Sequence, residues 1–521
     1  MNKIQIKGDD LKLINIYGYS VGHVINDLSN TLWFNYTLYF LTEIVELPTS
    51  QAGTVILVGM WVDAFLGPVV GILVDKCEIG SLGKKTPWYL LGNVLNIVGI
   101  IFIFKVSPFR TSLSGPTSTI DFIYYIALSF CFNSGFGFIN ISHIALLPSL
   151  SINRKSKDHM VRIRTAFRFI AQLLAIIISS IFFALITDKY LSYSLMTLLC
   201  VFIGIIFSVI FMIWCRETEL NKNIPKYYNV FNRLLKVRKS RRNVNEVYGI
   251  IRDINEIDGA HPKEDNSNDT ISFWLTNGKF YKYIIAYVMT QIAVNVTPSL
   301  MPYYMDIILE ITKTEQGGTP VEISIFFLIN TFGSIFSSLF IQTWLETYNS
   351  RFILYLFCWI FTLLGCLPLV VLTPDLKFLV HVSSFLMGIG FSLAINVGSI
   401  LTNDVVGNKG NNGGFVFATF AFVDRITVGI VIYVCMSFIK DSINLLKYFV
   451  PLLPIVLLFI GMIIVKFEEK SLLSEDKAFE YDEAQSELLL EHPYYSFESV
   501  DDEKREENKK FHKRITSNYT L

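Results

Sequence analysis

Long apolar runs separated by short polar stretches cover most of the chain. The hydrocarbon core of a bilayer is ~30 Å thick, and a helix needs about 20 mostly apolar residues to cross it. The pattern therefore predicts twelve membrane-crossing helices, which we call spans 1 to 12. We expect spans 1 to 6 over residues 16–44, 50–74, 87–106, 119–149, 163–187 and 191–214. We expect spans 7 to 12 over residues 279–309, 320–346, 352–373, 376–404, 413–438 and 443–466.

Two long polar stretches follow the sixth and the twelfth span. Few apolar residues and many charges are typical of disordered segments. The predicted organisation is an N-terminus (1–15), a six-helix bundle (16–214), a largely disordered linker (215–278), a second six-helix bundle (279–466) and a disordered tail (467–521). Lysine and arginine are enriched in cytoplasmic loops, and here the side of the linker carries Lys84, Lys85 and Arg154. Both termini, the linker and the tail are therefore expected in the cytoplasm.

A short motif recurs in the two predicted bundles. Span 4 contains Gly135-Phe136-Gly137-Phe138, and span 10 contains Gly388-Ile389-Gly390-Phe391. Matching motifs at matching positions indicate an internal repeat. Two six-helix halves facing each other across a pseudo-twofold axis are typical of the major facilitator fold, an all-α membrane architecture.

The composition agrees with a membrane protein. Hydrophobic residues make up 52% of the 521 residues and charged residues 17%, and the mean hydropathy is +0.47; soluble domains carry roughly 25% charged residues. Forty-four basic residues balance 44 acidic ones, so the charge indicates no nucleic-acid partner. The seven cysteines are scattered without a CxxC pair, which argues against a metal site or a disulfide framework. No metal and no cofactor are expected.

Ionisable residues inside predicted spans mark function, because each costs at least ~2.5–3.5 kcal/mol to insert into hydrocarbon. Spans 3, 6, 9 and 12 carry charges only near their ends, which is expected of the outer helices in a major facilitator arrangement. The charged interior residues are Asp27, Asp63, Arg168, Asp424 and Arg425, and His23, His143 and His381 add titratable groups.

Each of these residues has a functional and a structural interpretation. Asp27 and Asp63 are candidate carriers of a coupled proton or cation, since desolvation favours the protonated carboxyl, although Asp63 also fits a helix-packing role. Arg425 is the candidate for contacting an acceptor on a substrate. Arg168 fits either a substrate contact or a structural partner of an acidic residue, and His143 fits either a polar wall residue or a proton shuttle.

The loop after span 2 is a candidate gate. Asp75 ends the span, and Lys84 and Lys85 follow, so an ionic latch is expected that forms in one access state and breaks in the other. The run Gly80 to Thr86 has some likeness to a phosphate-binding loop, but Glu78 occupies the first glycine position. We therefore reject nucleotide binding.

Three segments carry a resemblance to a known family. They are Tyr17 to Asp27, with the run GHVIND; Asp63-xxxx-Pro68-xx-Gly71-xxx-Asp75 with Gly83-Lys84-Lys85; and Ile141 to Pro148, with the run SHIALLP. The chain resembles the animal major facilitator domain-containing subfamily twelve over residues 14–466. The characterised member of that subfamily imports cysteine into lysosomes and melanosomes. The subfamily is similar in turn to the melibiose-type sugar–cation symporters.

The resemblance implies roles for individual residues. Asp27 falls where the sugar symporters place a substrate-binding aspartate, and Asp63 matches the first of two cation-binding carboxylates. Gly67 stands at the second position, which argues against a two-carboxylate sodium site. Asn140 replaces another substrate aspartate, while Arg425 keeps the positive charge of a lysine in helix eleven. These differences favour a zwitterionic or anionic solute over a sugar.

These inferences predict a secondary transporter working by alternating access, not an enzyme. The substrate-binding candidates are Asp27, Asn140, His143, Arg168, Asp424 and Arg425, and the coupling-ion candidates are Asp63 and Asp27. The expected solute is a small polar molecule such as cysteine or another amino acid, with proton coupling or uniport both open. The alternatives are a sugar–cation symporter and a non-transporting receptor or scaffold on a transporter fold.

The expected partners are the solute, a coupled proton or cation and membrane lipids, and we expect a monomer. The resemblance implies a lysosomal or related organelle membrane, with the plasma membrane as the alternative. Asp9 to Ile14 fits an acidic dileucine sorting signal, and Tyr494 to Phe497 fits a tyrosine-based one.

Overall fold

The structure is a computed structural model of the chain. It describes residues 13–76, 83–110, 118–150, 154–215, 276, 278–311, 321–346, 350–406, 413–438 and 446–468. Most of the predicted N-terminus, linker and tail, and both predicted sorting signals apart from Leu13 and Ile14, lie outside these residues. The chain separates into the units Met1–Lys466 and Phe467–Leu521.

The predicted all-α membrane fold is confirmed, because eleven helices in the described part of the chain are long and apolar enough to cross a membrane. Spans 2 to 6 are the helices Thr49–Lys76, Thr86–Ile103, Thr119–Leu150, Arg154–Leu185 and Lys189–Trp214. Span 7 is Gly278–Tyr303 with the π-helical turn Tyr304–Ile308, and span 8 combines Val321–Phe336, Ser337–Ile341 and Gln342–Glu346. Spans 9 to 12 are Arg351–Val371, Leu379–Val406, Gly413–Phe438 and Leu446–Glu468.

Span 1 is a broken helix and supplies the twelfth crossing. Its helices are Leu13–Val21 and Val24–Leu32, followed by π-helical turns at Trp33–Thr37 and Phe40–Ile44. A helix break frees backbone carbonyl groups, which need partners in a membrane interior. Tyr89 donates its hydroxyl proton to the carbonyl oxygen of Gly22 over 2.6 Å. The Nε2 atom of His143 lies 2.8 Å from the carbonyl oxygen of Tyr19.

The repeated glycine motifs let helices approach closely. A Cβ atom added at Gly135 would lie 2.3 Å from the backbone nitrogen of Asn96 in span 3, and one at Gly390 would lie 2.3 Å from the Thr362 hydroxyl in span 9. The other glycine of the C-terminal motif, Gly388, faces span 8 in the same way. Each motif therefore packs span 4 or 10 against its neighbours, as small residues do in membrane helix interfaces.

The two halves meet along a seam formed by spans 1, 2 and 5 on one side and spans 7, 8 and 11 on the other. Spans 3, 6, 9 and 12 expose large apolar side chains, as expected of helices that face lipid; examples are Val94, Phe202, Leu364 and Val456. We call the membrane face with residues 45–48 the loop-one face, and the face with residues 215 and 278 the linker face.

Candidate solute-binding site

A polar cluster lies inside the N-terminal half, just after the break in span 1. The Nδ1 atom of His23 is 3.1 Å from Oδ1 of Asp27, one turn later on the same helix. The Nε2 atom of His23 is 3.3 Å from Oδ1 of Asn140 in span 4 and 3.4 Å from Nδ2 of Asn26. His23 thus joins Asp27 and Asn26 of its own span to Asn140 of span 4. We call His23, Asp27, Asn140 and His143 the N-half cluster.

His143 forms the wall of this cluster. Its ring stacks on Tyr19 with centroids 4.3 Å apart and lies 5.5 Å from the ring of His23. The side chain is buried, and Nδ1 has no hydrogen-bond partner among the residues that the structure describes. The carbonyl oxygen of Tyr19 also accepts from the backbone N–H of Gly22 over 3.1 Å, so His143 both ties span 4 to the helix break and borders the site.

The arginine that approaches the N-half cluster is Arg164. It interacts electrostatically with Asp27, His23 and His143. Arg168, the residue predicted from the sequence, lies one turn later on span 5 and is exposed. Arg164 was missed because span 5 was predicted to begin at residue 163, which placed it at a helix end; the helix in fact begins at Arg154.

An ion pair joins the two halves across the seam. The Nε atom of Arg425 in span 11 lies 3.0 Å from Oδ2 of Asp63 in span 2, and these side chains are 24% and 14% exposed. The guanidinium also lies 6.0 Å from the ring centroid of Phe136 in span 4. Both side chains are largely removed from solvent, so removal of one partner would leave the charge of the other buried and uncompensated. The predicted residues Asp63 and Arg425 therefore meet.

Asp424 is buried beside this pair. The residue is 4% exposed, and its Oδ1 atom has no hydrogen-bond partner in the described part of the chain. It interacts electrostatically with Arg425, Asp63 and Tyr287 of span 7. Neighbouring residues on an α-helix point about 100° apart, so Asp424 leaves the helix in a different direction from Arg425, which extends to span 2.

Span 4 connects the N-half cluster to the ion pair. A Cβ atom added at Gly137 would lie 3.4 Å from Oδ1 of Asp63, and Asn140, which bonds His23, follows three residues later. Three residues correspond to a rise of ~4.5 Å along a helix. The points at which span 4 approaches the ion pair and the cluster are therefore about one helical turn apart along this helix.

The C-terminal half contains two hydrogen-bonded groups of uncharged polar side chains. The Nδ2 atom of Asn396 donates to Oε1 of Gln342 over 2.6 Å, and that of Asn295 donates to the carbonyl oxygen of Gln291 over 2.9 Å. Sequence analysis did not single these residues out, because isolated amides in an apolar run carry no charge signal. The amide side chains at positions 291 and 295 lie one helical turn apart, and this spacing is the sequence signal that could have identified them.

The predicted gate is only partly described. Asp75 lies in the last turn of the span 2 helix, but its side chain lies outside the described residues; Lys84 is exposed and Lys85 half-buried. In the C-terminal half, Arg351 binds Asp404 through two hydrogen bonds of 3.1 and 3.2 Å. The pair joins the ends of spans 9 and 10 at the linker face. Within the described residues, no group of three or more His, Cys, Asp or Glu residues is placed to hold a metal ion.

Comparisons with known proteins agree with this architecture. A family model described as "MFS/sugar transport protein" matches residues 18–242. The major facilitator superfamily domain-containing protein 12 of Homo sapiens is 24% identical over 452 residues, which cover 82% of this chain and 85% of that protein. The isoprimeverose transporter of Lactiplantibacillus pentosus is 29% identical over 165 residues, covering 32% of each chain.

The fold also matches a solved transporter. The xylose transporter XylE from E. coli superimposes with a TM-score of 0.57, covering 88% of this chain and 98% of that one. The sequences are 11% identical, so this likeness concerns the fold.

Proposed function

We propose that this chain, which belongs to the major facilitator superfamily, carries a small polar solute across a membrane by alternating access. The site lies between the two halves, at the N-half cluster and the Asp63–Arg425 pair. In transporters built from repeats, the solute site typically lies near the bilayer midplane where the repeats meet.

The observation that carries this proposal is the Asp63–Arg425 ion pair. It places two charges in the membrane interior on opposite sides of the seam, where they are costly. A rigid scaffold needs no such pair. A protein whose halves must separate and rejoin gains from an interaction that can break and re-form during each cycle.

The solute that fits best is a zwitterion, and an amino acid such as cysteine is our specific candidate. Arg164 and Asn140 offer donors to a carboxylate, while Asp27 offers an acceptor to an ammonium group. Arg164 and Asp27 are close enough to interact, so the site presents both signs of charge over a short distance. A sugar offers hydroxyl groups and carries no carboxylate for Arg164 to bind.

The loop charges and the family resemblance support a proposal for the orientation and the membrane. We propose that the linker face is cytoplasmic, because the Lys84 and Lys85 loop lies on it and cytoplasmic loops are enriched in lysine and arginine. A lysosomal or related organelle membrane is the proposed location.

The test is uptake of labelled cysteine into proteoliposomes containing the purified full chain. The wild type is expected to show saturable uptake, and Asp27→Asn and Arg425→Gln are expected to lose most of it. Asp188→Asn is the matched control, since Asp188 caps the span 6 helix by accepting from the backbone N–H of Leu191 over 3.0 Å and asparagine caps equally well. Undiminished uptake in both site variants would remove the two residues from the mechanism.

Sugar–cation symport is the second candidate. The family description and the likeness to the isoprimeverose transporter favour it. The same vesicles separate the two: cation-stimulated uptake of a labelled xyloside or galactoside, with no cysteine uptake, would support the sugar function.

A further inference from the structure

A buried carboxylate at the seam lacks a partner for one of its oxygen atoms. Asp424 is 4% exposed, and its Oδ1 atom has no hydrogen-bond partner among the residues described. An ionised carboxylate without a partner is very costly in a low-dielectric interior. A buried unsatisfied polar atom of this kind calls for an explanation.

The neighbouring cation is already engaged. Arg425 directs its Nε atom to Asp63, 3.0 Å away on the other half. Asp424 and Asp63 both interact electrostatically with Arg425, so one guanidinium serves two carboxylates. With both carboxylates ionised, the group carries a net charge of −1 inside the membrane. One bound proton makes it neutral.

Among the residues that the structure describes, the remaining ionisable groups around span 11 do not supply the missing positive charge. Within the same residues, Tyr287 of span 7 is the further titratable side chain that interacts with Asp424, and it bears no charge when protonated. Span 10 also packs against span 11. Its Asp404 is bound by Arg351, and its His381 contacts Glu322 at the loop-one end.

We propose that Asp424 is the binding site of a coupled proton, and that its protonation decides whether Arg425 pairs with Asp63. This inference rests on the proposed transport function. In the conformation described here, Asp424 is the neutral acid and Arg425 holds Asp63 across the seam. When the O–H bond of Asp424 breaks, the proton passes to water in the solute pathway. The resulting carboxylate then competes for the guanidinium.

This competition links proton release to movement of the halves. Arg425 is adjacent to Asp424 in the chain, and its long side chain can turn from span 2 toward its own half without a backbone change. Loss of the Asp63 contact weakens the seam at span 2 and span 11. Proton binding restores the contact. The proton site is then Asp424, and not the coupling-ion candidates Asp63 and Asp27 that the sequence suggests.

The first test needs no solute. Infrared spectra of the purified full chain are recorded in H₂O and in D₂O and subtracted from each other. The difference spectrum should contain a carboxylic-acid C=O band that shifts on deuteration. The band should be absent in Asp424→Asn and present in the matched control Asp188→Asn. Retention of the band in Asp424→Asn, or its absence from the wild type at every pH at which the protein stays folded, would overturn the proposal.

The second test measures coupling in proteoliposomes. The quantity is labelled cysteine accumulated with an imposed pH gradient, divided by that accumulated without one. The ratio should fall to unity in Asp424→Asn and stay above unity in Asp424→Glu, which keeps a titratable group. A wild-type ratio of unity with stimulation by sodium alone, or an unchanged ratio in Asp424→Asn, would contradict the proposal. If the wild type carries no cysteine, the proposed solute fails, and the infrared result still decides on the proton site.

Discussion

Thr42 of span 1 and Tyr303 of span 7 share a hydrogen bond of 2.7 Å between their hydroxyl groups across the seam. Tyr303 also reaches the carbonyl oxygen of Leu38, 2.8 Å away. One turn away, the hydroxyl group of Tyr39 donates to Asp306 over 3.4 Å. These contacts hold the halves together at the loop-one face.

Toward the linker face, span 2 is less closely packed. A Cβ atom added at Gly53, near the loop-one end of span 2, would lie 3.0 Å from Met436 of span 11, whereas one added at Gly71 meets nothing within 4 Å. Val69, between Asp63 and the linker face, is 48% exposed. We therefore infer that the structure is the state closed toward the loop-one face.

Removing the Tyr303 hydroxyl group should loosen that closure. A net hydrogen bond contributes about 0.5–1.5 kcal/mol, so Tyr303→Phe should raise the population open at the loop-one face by about 2- to 10-fold. Ser299 is buried and bonds the carbonyl oxygen of Phe34 across the seam, so Ser299→Cys in a cysteine-free background reports opening. A membrane-impermeant thiol reagent should label the cysteine introduced by Ser299→Cys faster when Tyr303→Phe is also present.

The control for this experiment is Tyr124→Phe. The hydroxyl group of Tyr124 donates to the carbonyl oxygen of Phe102 over 3.4 Å within the N-terminal half, so the variant also loses one tyrosine hydroxyl but none at the seam. Equal labelling rates in Tyr303→Phe and Tyr124→Phe would contradict closure by Tyr303.

The Asp63–Arg425 pair should show strong coupling in a double-mutant cycle. Removing one partner of a buried pair costs about 3–5 kcal/mol, because the other charge is left uncompensated. Asp63→Asn and Arg425→Gln should each lower the thermal unfolding temperature in detergent, and the double variant should be less destabilised than the sum of the two. Additive effects would show that the two side chains do not interact in the protein.

Arg164 and Arg168 provide a matched comparison on one helix. A charged hydrogen bond to a solute contributes about 1.5–3 kcal/mol, so Arg164→Gln should lower kcat/KM for cysteine uptake by about 10- to 100-fold. Arg168→Gln removes the same charge from an exposed position one turn away and should have a much smaller effect. A larger loss in Arg168→Gln would instead support the substrate contact that the sequence suggests for Arg168.

The apolar pattern was sufficient to predict the fold, because a bilayer sets the length of each crossing. It did not predict the break at Gly22 and His23, since the break depends on Tyr89 and His143 reaching it from other spans. The early start of span 5 at Arg154 was also missed. Hydropathy locates the membrane boundary, and a helix can continue beyond it through polar residues.

The candidate site was predictable in its residue types and less so in its pairings. Interior charges are costly and therefore mark candidate functional positions, which made Asp27, Asp63, Asp424 and Arg425 candidates. Which side chains meet depends on helix rotation and on packing between halves. The sequence therefore did not reveal that Arg425 binds Asp63, or that Arg164 and not Arg168 approaches Asp27.

The close packing of span 4 on span 3 gives a stability prediction. A Cβ atom at Gly135 would lie 2.3 Å from the backbone nitrogen of Asn96 and 2.7 Å from the carbonyl oxygen of Gly92. Backbone atoms cannot rotate away as a flexible side chain can, so Gly135→Ala must separate the two helices. Overpacking of this kind costs about 1–3 kcal/mol, and the variant should unfold at a lower temperature than the wild type.

Gly71→Ala is the matched control, because the same added methyl group meets nothing within 4 Å. Alanine in a helix interior is favoured over glycine by roughly 0.5–1 kcal/mol, so this variant should unfold at the wild-type temperature or slightly above it. The measurement is thermal unfolding of both variants in the same detergent, followed by size-exclusion chromatography. Alanine raises the helix propensity in both variants, so the difference between their unfolding temperatures reports the effect of packing. If Gly135→Ala were as stable as Gly71→Ala, spans 3 and 4 would have to lie further apart than the structure places them. The position of Asn140 relative to His23, which depends on span 4, would then need revision as well.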